Sequence, residues 1–184
     1  MVKRKVAWGI TGSGDKLMET FDVMKEIRGV YVDDLEVEVF LSRAGEQVAK
    51  YYKLMDGLRE AFGRVWVERD ANAPFLAGRL QLGEFEFLLI APATSNTVAK
   101  LSHGISDTML TNGAIQALKA SVPVYIMPTD YREGTTFTRL PDGRELRLRV
   151  RKEDAENTRK LMAMEGVHAF ERPEEIKGIF SGCF

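Results

Sequence analysis

The sequence predicts an α/β chain wound in both directions around one mostly parallel sheet, and three observations carry that prediction. Strand-like apolar runs alternate with segments of helical period from Arg4 to Met127, the order that builds parallel sheets rather than sandwiches or bundles. Leu88-Leu-Ile-Ala-Pro-Ala-Thr-Ser-Asn-Thr97 begins as an unbroken apolar run, as a strand buried on both faces requires. A glycine-rich turn, Gly9-Ile-Thr-Gly-Ser-Gly14, stands between the first strand and the first helix, where a doubly wound sheet opens toward ligands.

The elements follow in order. Arg4–Ile10 is the first strand and Thr11–Asp15 a tight turn. Leu17, Phe21, Met24 and Ile27 recur at helical spacing until Gly29 closes the helix. Leu35–Leu41 is the second strand, and its alternating glutamates suggest a partly exposed face or an edge position. Ser42 to about Phe62 is helical, with Ser42 as N-cap and Gly57 as a weak point or break. Arg64–Glu68 is a third strand, and 71–83 an irregular Asn-Ala-Pro segment followed by a short helix. Phe85–Ile90 is the fourth strand, which Pro92 ends because it has no N–H to donate. Helices cover Ser95–His103 and Asp107–Ala120, and Val122–Met127 is the fifth strand. An Asp-Gly turn centres a β-hairpin across Thr136–Val150. Lys152–Met164 is a charged helix, and Val167–Phe170 and Pro173–Ile179 are a last strand and helix. The architecture is therefore a Rossmann-like doubly wound parallel sheet, flavodoxin-like in its three α/β/α layers, with a C-terminal β-hairpin and helix. One domain, 1–184, is expected, its core over 1–130 and its hairpin and terminal helices over 131–184.

Composition narrows the function. The chain of 184 residues is 45% hydrophobic and 29% charged with net charge −1, which argues against the bulk basicity of a nucleic-acid binder and against disorder. Its one cysteine, Cys183, cannot build a disulfide framework, a cysteine zinc site or an iron–sulfur cluster within this chain, and its place at a chain end expected to fray makes it a poor catalytic thiol. The N-terminal apolar run is too short for a membrane span or a signal peptide, so a cytoplasmic location is expected.

Three corners carry the candidate site. The spacing of the first turn is G-x-x-G-x-G and not the dinucleotide fingerprint G-x-G-x-x-G, yet glycines after a strand and before a helix suit a phosphate. After the second strand stand Ser42 and Arg43, which suit a phosphate better than a ribose diol. After the fourth come Thr94, Ser95, Asn96 and Thr97, either a helix cap with spare hydroxyls or a grip on a polar cofactor. The C-terminal strand ends share one sheet edge, so the corners can line one cleft, and a mononucleotide such as flavin mononucleotide (FMN) fits them. NADP held by Ser42 and Arg43 is a weaker alternative.

Ile10-Thr-Gly-Ser-Gly14 together with Ala91-Pro-Ala-Thr-Ser-Asn-Thr-Val-Ala-Lys-Leu-Ser-His-Gly-Ile-Ser-Asp-Thr-Met-Leu110 resembles the superfamily of homo-oligomeric flavin-containing cysteine decarboxylases, which includes flavin prenyltransferases. The resemblance implies FMN at a subunit interface in assemblies of trimers. Gly12, Ser13, Gly14 and Ser42 would hold the phosphate and ribityl end, and Thr94, Ser95, Asn96 and Thr97 would lie against the flavin with Thr129. The decarboxylase histidine and Met-Asn loop are missing, and Thr129 stands where the prenyltransferases have arginine. Trp8–Asp15, Ser42–Glu46 and Leu140–Asp154 are similar to the archaeoflavoprotein branch. That implies an electron-transfer flavoprotein with a ferredoxin-like donor and a pterin or flavodoxin-like acceptor, with dihydromethanopterin reduction as the alternative. No catalytic side chain is expected. His103 reads as structural and His168 as a bland surface or core residue. The run Arg144, Arg147, Arg149, Arg151 and Lys152 reads either as a docking patch for an acidic partner or as a solvated hairpin edge.

Overall fold

The computed structural model describes residues 3–184. In chain order its strands are β1 (Arg4–Ile10), β2 (Leu35–Leu41), β3 (Val65–Val67), β4 (Leu88–Ala93), β5 (Val124–Pro128), β6 (Gly134–Arg139), β7 (Glu145–Val150) and β8 (Val167–Ala169). Its helices are α1 (Leu17–Val30), α2 (Arg43–Tyr51), α3 (Met55–Phe62), α4 (Leu76–Gln81), α5 (Ser95–Ser102), α6 (Met109–Lys119), α7 (Lys152–Met162) and α8 (Glu175–Cys183). Six strands form one parallel sheet ordered β3-β2-β1-β4-β5-β8, and β6 and β7 pair antiparallel as a separate hairpin. This is the expected Rossmann-like, three-layer fold. The strand order reverses between β1 and β4, and connections leaving in opposite directions open a crevice beyond Ile10 and Ala93.

Strand alternation sends successive side chains to opposite faces. Val6, Trp8 and Ile10 join α1, α2, α3 and α8 in one core with Phe21, Leu58 and Phe180. Ala7, Phe40 and Ile90 face the other way, against Leu80, Leu101, Leu110 and Leu161 of α4 to α7. Each large apolar side chain removed from water contributes roughly 1.5–3 kcal/mol, so the sheet is fixed from both sides and its C-terminal edge becomes a firm base.

Several expectations need correction. β2 is no edge, since it lies between β3 and β1, and Glu38 is 0% exposed. Arg79 of α4 grips both carboxylate oxygens at 2.7 and 2.8 Å, joined by Arg64 at 3.2 Å and the Trp66 indole N–H at 2.9 Å. The helix across Ser42–Phe62 breaks at Tyr52–Leu54 and not at Gly57, because Lys53 takes a left-handed φ of 55°. Gly57 continues α3 and leaves room for the Phe21 ring, which a Cβ would approach to 3.1 Å. α1 passes through Gly29 to Val30. Pro92 does not end β4; the Ala91–Pro92 peptide is cis, and the pairing with β5 shifts register and resumes at Ala93. The C-terminus is held rather than frayed. α8 runs to Cys183, whose carbonyl accepts a hydrogen bond from Arg4, and the same guanidinium lies 4.6 Å from the Phe184 ring centre. Among the described residues no helix is long and apolar enough to cross a membrane.

Candidate functional site

The crevice is built from the turn after β1. Thr11 is buried, and its hydroxyl donates to the Pro92 carbonyl at 2.8 Å while accepting from the Thr94 N–H at 2.9 Å. One side chain thus joins the first turn to the corner after β4, and the Trp8 indole N–H adds a buried bond to the Ala91 carbonyl at 2.7 Å. The glycines answer to packing. A Cβ on Gly12 would lie 2.6 Å from the Ala44 Cβ, and one on Gly14 would lie 2.5 Å from the Tyr52 hydroxyl. Ser13 Oγ accepts from the Asp15 N–H at 3.2 Å. The N–H groups of Gly12, Ser13 and Gly14 donate to no other described residue, and successive free amides in a turn form a concavity for anions.

Three helix N-termini meet this turn, in unequal states. Ser42 caps α2 by accepting from the Gly45 N–H at 2.9 Å. Glu68 then places one oxygen 3.0 Å from the Arg43 N–H and the other 2.8 Å from the Met109 N–H, so the chain's own carboxylate serves the first amides of α2 and α6. At α5, Thr94 is the cap; its hydroxyl lies 3.3 Å from the Thr97 N–H and 3.1 Å from the Thr97 hydroxyl, which is turned inward. Ser95 and Asn96 follow with first-turn amides that have no helical partner. Thr129 extends the edge, donating from its hydroxyl to the Ala93 carbonyl at 3.3 Å.

The expected residues fall on two adjoining cavities that share Gly12 and Thr94. Ser42, Asn96 and Thr97 line the larger, of about 570 Å³. Ser13, Gly14, Ser95 and Thr129 line the smaller, of about 360 Å³, beneath the β6–β7 hairpin. Sequence reasoning missed Thr11, Glu68, Tyr52, Asp15 and Asp130. Their partners lie far along the chain or on the hairpin, and no local spacing marks them. Burial pushes Asp15 above the ordinary aspartate value, with Lys16 opposing and Glu19 adding to the shift. Burial likewise raises Asp130, assisted by Asp154, with a hydrogen bond to Ser95 opposing.

The histidines stand outside both cavities. His103 caps α5 from the exposed surface, its Nδ1 2.8 Å from the Ala99 carbonyl, and His168 stacks on Tyr125 at 4.9 Å. The basic run divides. Arg144 pairs with Asp142, Arg151 with Asp154 and Lys152 with Glu156, whereas Arg147 and Arg149 sit opposite Phe137 and Thr135 on the hairpin's outer face.

A family model described as Flavoprotein matches residues 1–138. The chain belongs to the Flavoprotein family. An uncharacterized protein of Methanocaldococcus jannaschii is 47% identical over 95% of this chain and 93% of its own length. A relative in the same organism, named dihydromethanopterin reductase (acceptor), is 33% identical over 98% of this chain and 97% of that protein. Among solved structures, Burkholderia xenovorans DmrB in complex with FMN, described as a cubic protein cage for redox transfer, superposes with TM-score 0.83 at 32% identity, over 98% of this chain and 95% of DmrB. The matched part of this flavoprotein carries the free-amide turn and the α5 corner, while the match ends inside β6.

Proposed function

We propose that this flavoprotein binds FMN across the β1/β4 crevice and uses it to transfer electrons. The observation that carries the reading is the row of free N–H groups at Gly12, Ser13 and Gly14, residues that line one cavity with Thr94 and Ser95 at the start of α5. Backbone donors backed by a helix N-terminus suit a phosphate, and Glu68 already fills the equivalent position at α2 and α6. A phosphate at the Arg43 corner would meet that carboxylate, which favours a mononucleotide over NADP. Gly12, Ser13 and Gly14 would hold the phosphate end, and Ser42, whose hydroxyl proton is uncommitted among the described residues, the ribityl chain. Thr94, Ser95, Asn96, Thr97 and Thr129 would border the ring system. Bound FMN supplies reversible electron and hydride transfer; the chain supplies binding, orientation and tuning. Reconstitution tests this directly: the colourless protein should take up FMN and turn yellow, and failure to do so defeats the reading.

The hairpin cavity favours a reductase over a simple carrier, because a carrier needs no ligand-sized cleft beside its cofactor. The names and FMN complex of the relatives support a reduced pterin as acceptor. A low-potential ferredoxin is the donor of choice, and Arg147 and Arg149 give the outer hairpin face the charge that an acidic partner would meet. A flavodoxin-like acceptor belongs to the carrier reading. Stopped-flow mixing of anaerobically reduced protein with a dihydropterin separates the two, since reoxidation by the pterin is expected of a reductase only. A homo-oligomer built from trimers fits the exposed Phe75 and Leu82, at 61% and 74% of their full exposure, and light scattering would give its mass.

A further inference from the structure

Asp15 is short of donors. It lines the hairpin cavity, its Oδ2 is buried, and that oxygen accepts no hydrogen bond from any described residue. Asp130 lines the same space from the end of β5. The nearby Lys16 ammonium eases the Asp15 charge through space but donates its hydrogen bond to the Glu171 carbonyl at 2.9 Å. Thr138 on the hairpin gives the carboxylate one hydrogen bond; a buried oxygen left without a donor is still costly, and a ligand bringing N–H groups would remove that deficit.

The walls define the rest of the ligand. On the hairpin, Thr136 pairs with Leu148 and Thr138 with Leu146, so all four share the face that covers the cavity. Across from them stand Tyr51 and Tyr52 at the end of α2, the latter tied to the hairpin by a hydrogen bond from its hydroxyl to the Arg139 carbonyl at 3.0 Å. Leu146, Leu148 and Tyr51 are 40%, 49% and 53% exposed, which is apolar surface that a flat ring could cover. A space of about 360 Å³ falls in the usual range for a small-molecule site.

Edge chemistry selects among flat rings. The pyrimidine edge of a flavin presents a carbonyl, an N–H and a second carbonyl, and two carboxylates would repel its acceptors. A 2-amino-4-oxopyrimidine presents an amino group beside a ring N–H, a donor pair matched to one carboxylate. We infer that the hairpin cavity, which shares Ser13, Gly14, Ser95 and Thr129 with the FMN site proposed above, holds a second subsite where Asp15 and Asp130 read the 2-amino-4-oxopyrimidine edge of a reduced pterin. The inference rests on the reductase reading above and assigns the residues that would give it substrate selectivity.

The test uses the whole protein, with and without FMN, titrated anaerobically by calorimetry with a 7,8-dihydropterin, with the matching dihydrolumazine in which a carbonyl replaces the 2-amino group, and with guanosine, which carries the same edge. The dihydropterin is expected to bind at least about tenfold more tightly than the dihydrolumazine, the scale of leaving one buried polar group unpaired, and more tightly than guanosine. D15N and D130N, checked for folding by thermal melting, are each expected to bring the pterin-to-lumazine ratio toward one. Equal binding of the two analogues by the wild-type protein, tighter binding of guanosine, or an unchanged ratio in both variants would overturn the assignment. Preserved discrimination in a protein that takes up no FMN would strike the flavin reading and leave the subsite standing.

Discussion

Two carboxylates, the buried Glu38 in the β2 strand and the half-buried Asp15 in the turn after β1, meet opposite fates. Glu38 is enclosed by Arg79, Arg64 and Trp66; burial alone would raise its pKa, but those hydrogen bonds and charges bring it down to about 2. Asp15 has no such enclosure and is pushed up by burial. The first arrangement completes itself within the chain, while the second leaves an oxygen waiting for a donor. Buried ion pairs often serve structure, whereas a group shifted by desolvation in a cleft marks a candidate site.

The comparison is most sharply broken at Arg79. Arg79→Ala strands the Glu38 charge and is expected to cost about 3–5 kcal/mol in urea denaturation; a loss below 1 kcal/mol would mean that Arg64 and Trp66 suffice. Thr11→Val should come next. It removes a donor from the Pro92 carbonyl and an acceptor from the Thr94 N–H, a loss of about 1–3 kcal/mol for buried groups left unpaired, together with weaker FMN uptake in a fluorescence titration.

Acid separates the two carboxylates by sign. Glu38 has a depressed folded pKa, so its contribution is full above the unfolded value near 4.5 and is lost as pH falls toward 2. Asp15 is raised, so its charge destabilises the empty protein above its folded pKa, and that cost disappears as pH falls through the folded and then the unfolded value. D15N should therefore melt at or above the wild-type temperature at neutral pH, with the difference closing in acid. A lower melting temperature for D15N at pH 7 would show that Asp15 serves structure. The smallest effect belongs to the hairpin's outer face. Arg147→Glu with Arg149→Glu should change stability by less than about 0.5 kcal/mol, while slowing reduction by ferredoxin most at low ionic strength.

Much of this was legible locally. The strand alternation, the glycine-rich turn, the Ser42 cap and the Asp-Gly hairpin each declare themselves within a few residues, because backbone sterics and short-range hydrogen bonds decide them. Glu38 could not be read that way. Its alternation with Glu36 looks like solvent exposure, and the guanidinium that overrides it arrives from Arg79, 41 positions away. The helix break at Lys53 also lacked a signal, since no glycine or proline stands there, whereas Gly57, which suggested one, serves the Phe21 contact. The corners were visible, but not the Thr11 bond across 83 positions, nor the hairpin folding over Asp15 to divide one expected cleft into two.

That division has a thermodynamic side. Gly12 and Thr94 are common to both cavities, and Thr11 fastens them to each other, so an occupant of one presses on a wall of the other. Whatever factor bound FMN applies to the affinity for an acceptor, the acceptor must apply equally to FMN. If the reductase reading holds, a tightly held cofactor and a readily released product are therefore not independent, and a substitution at Thr11 would change both together.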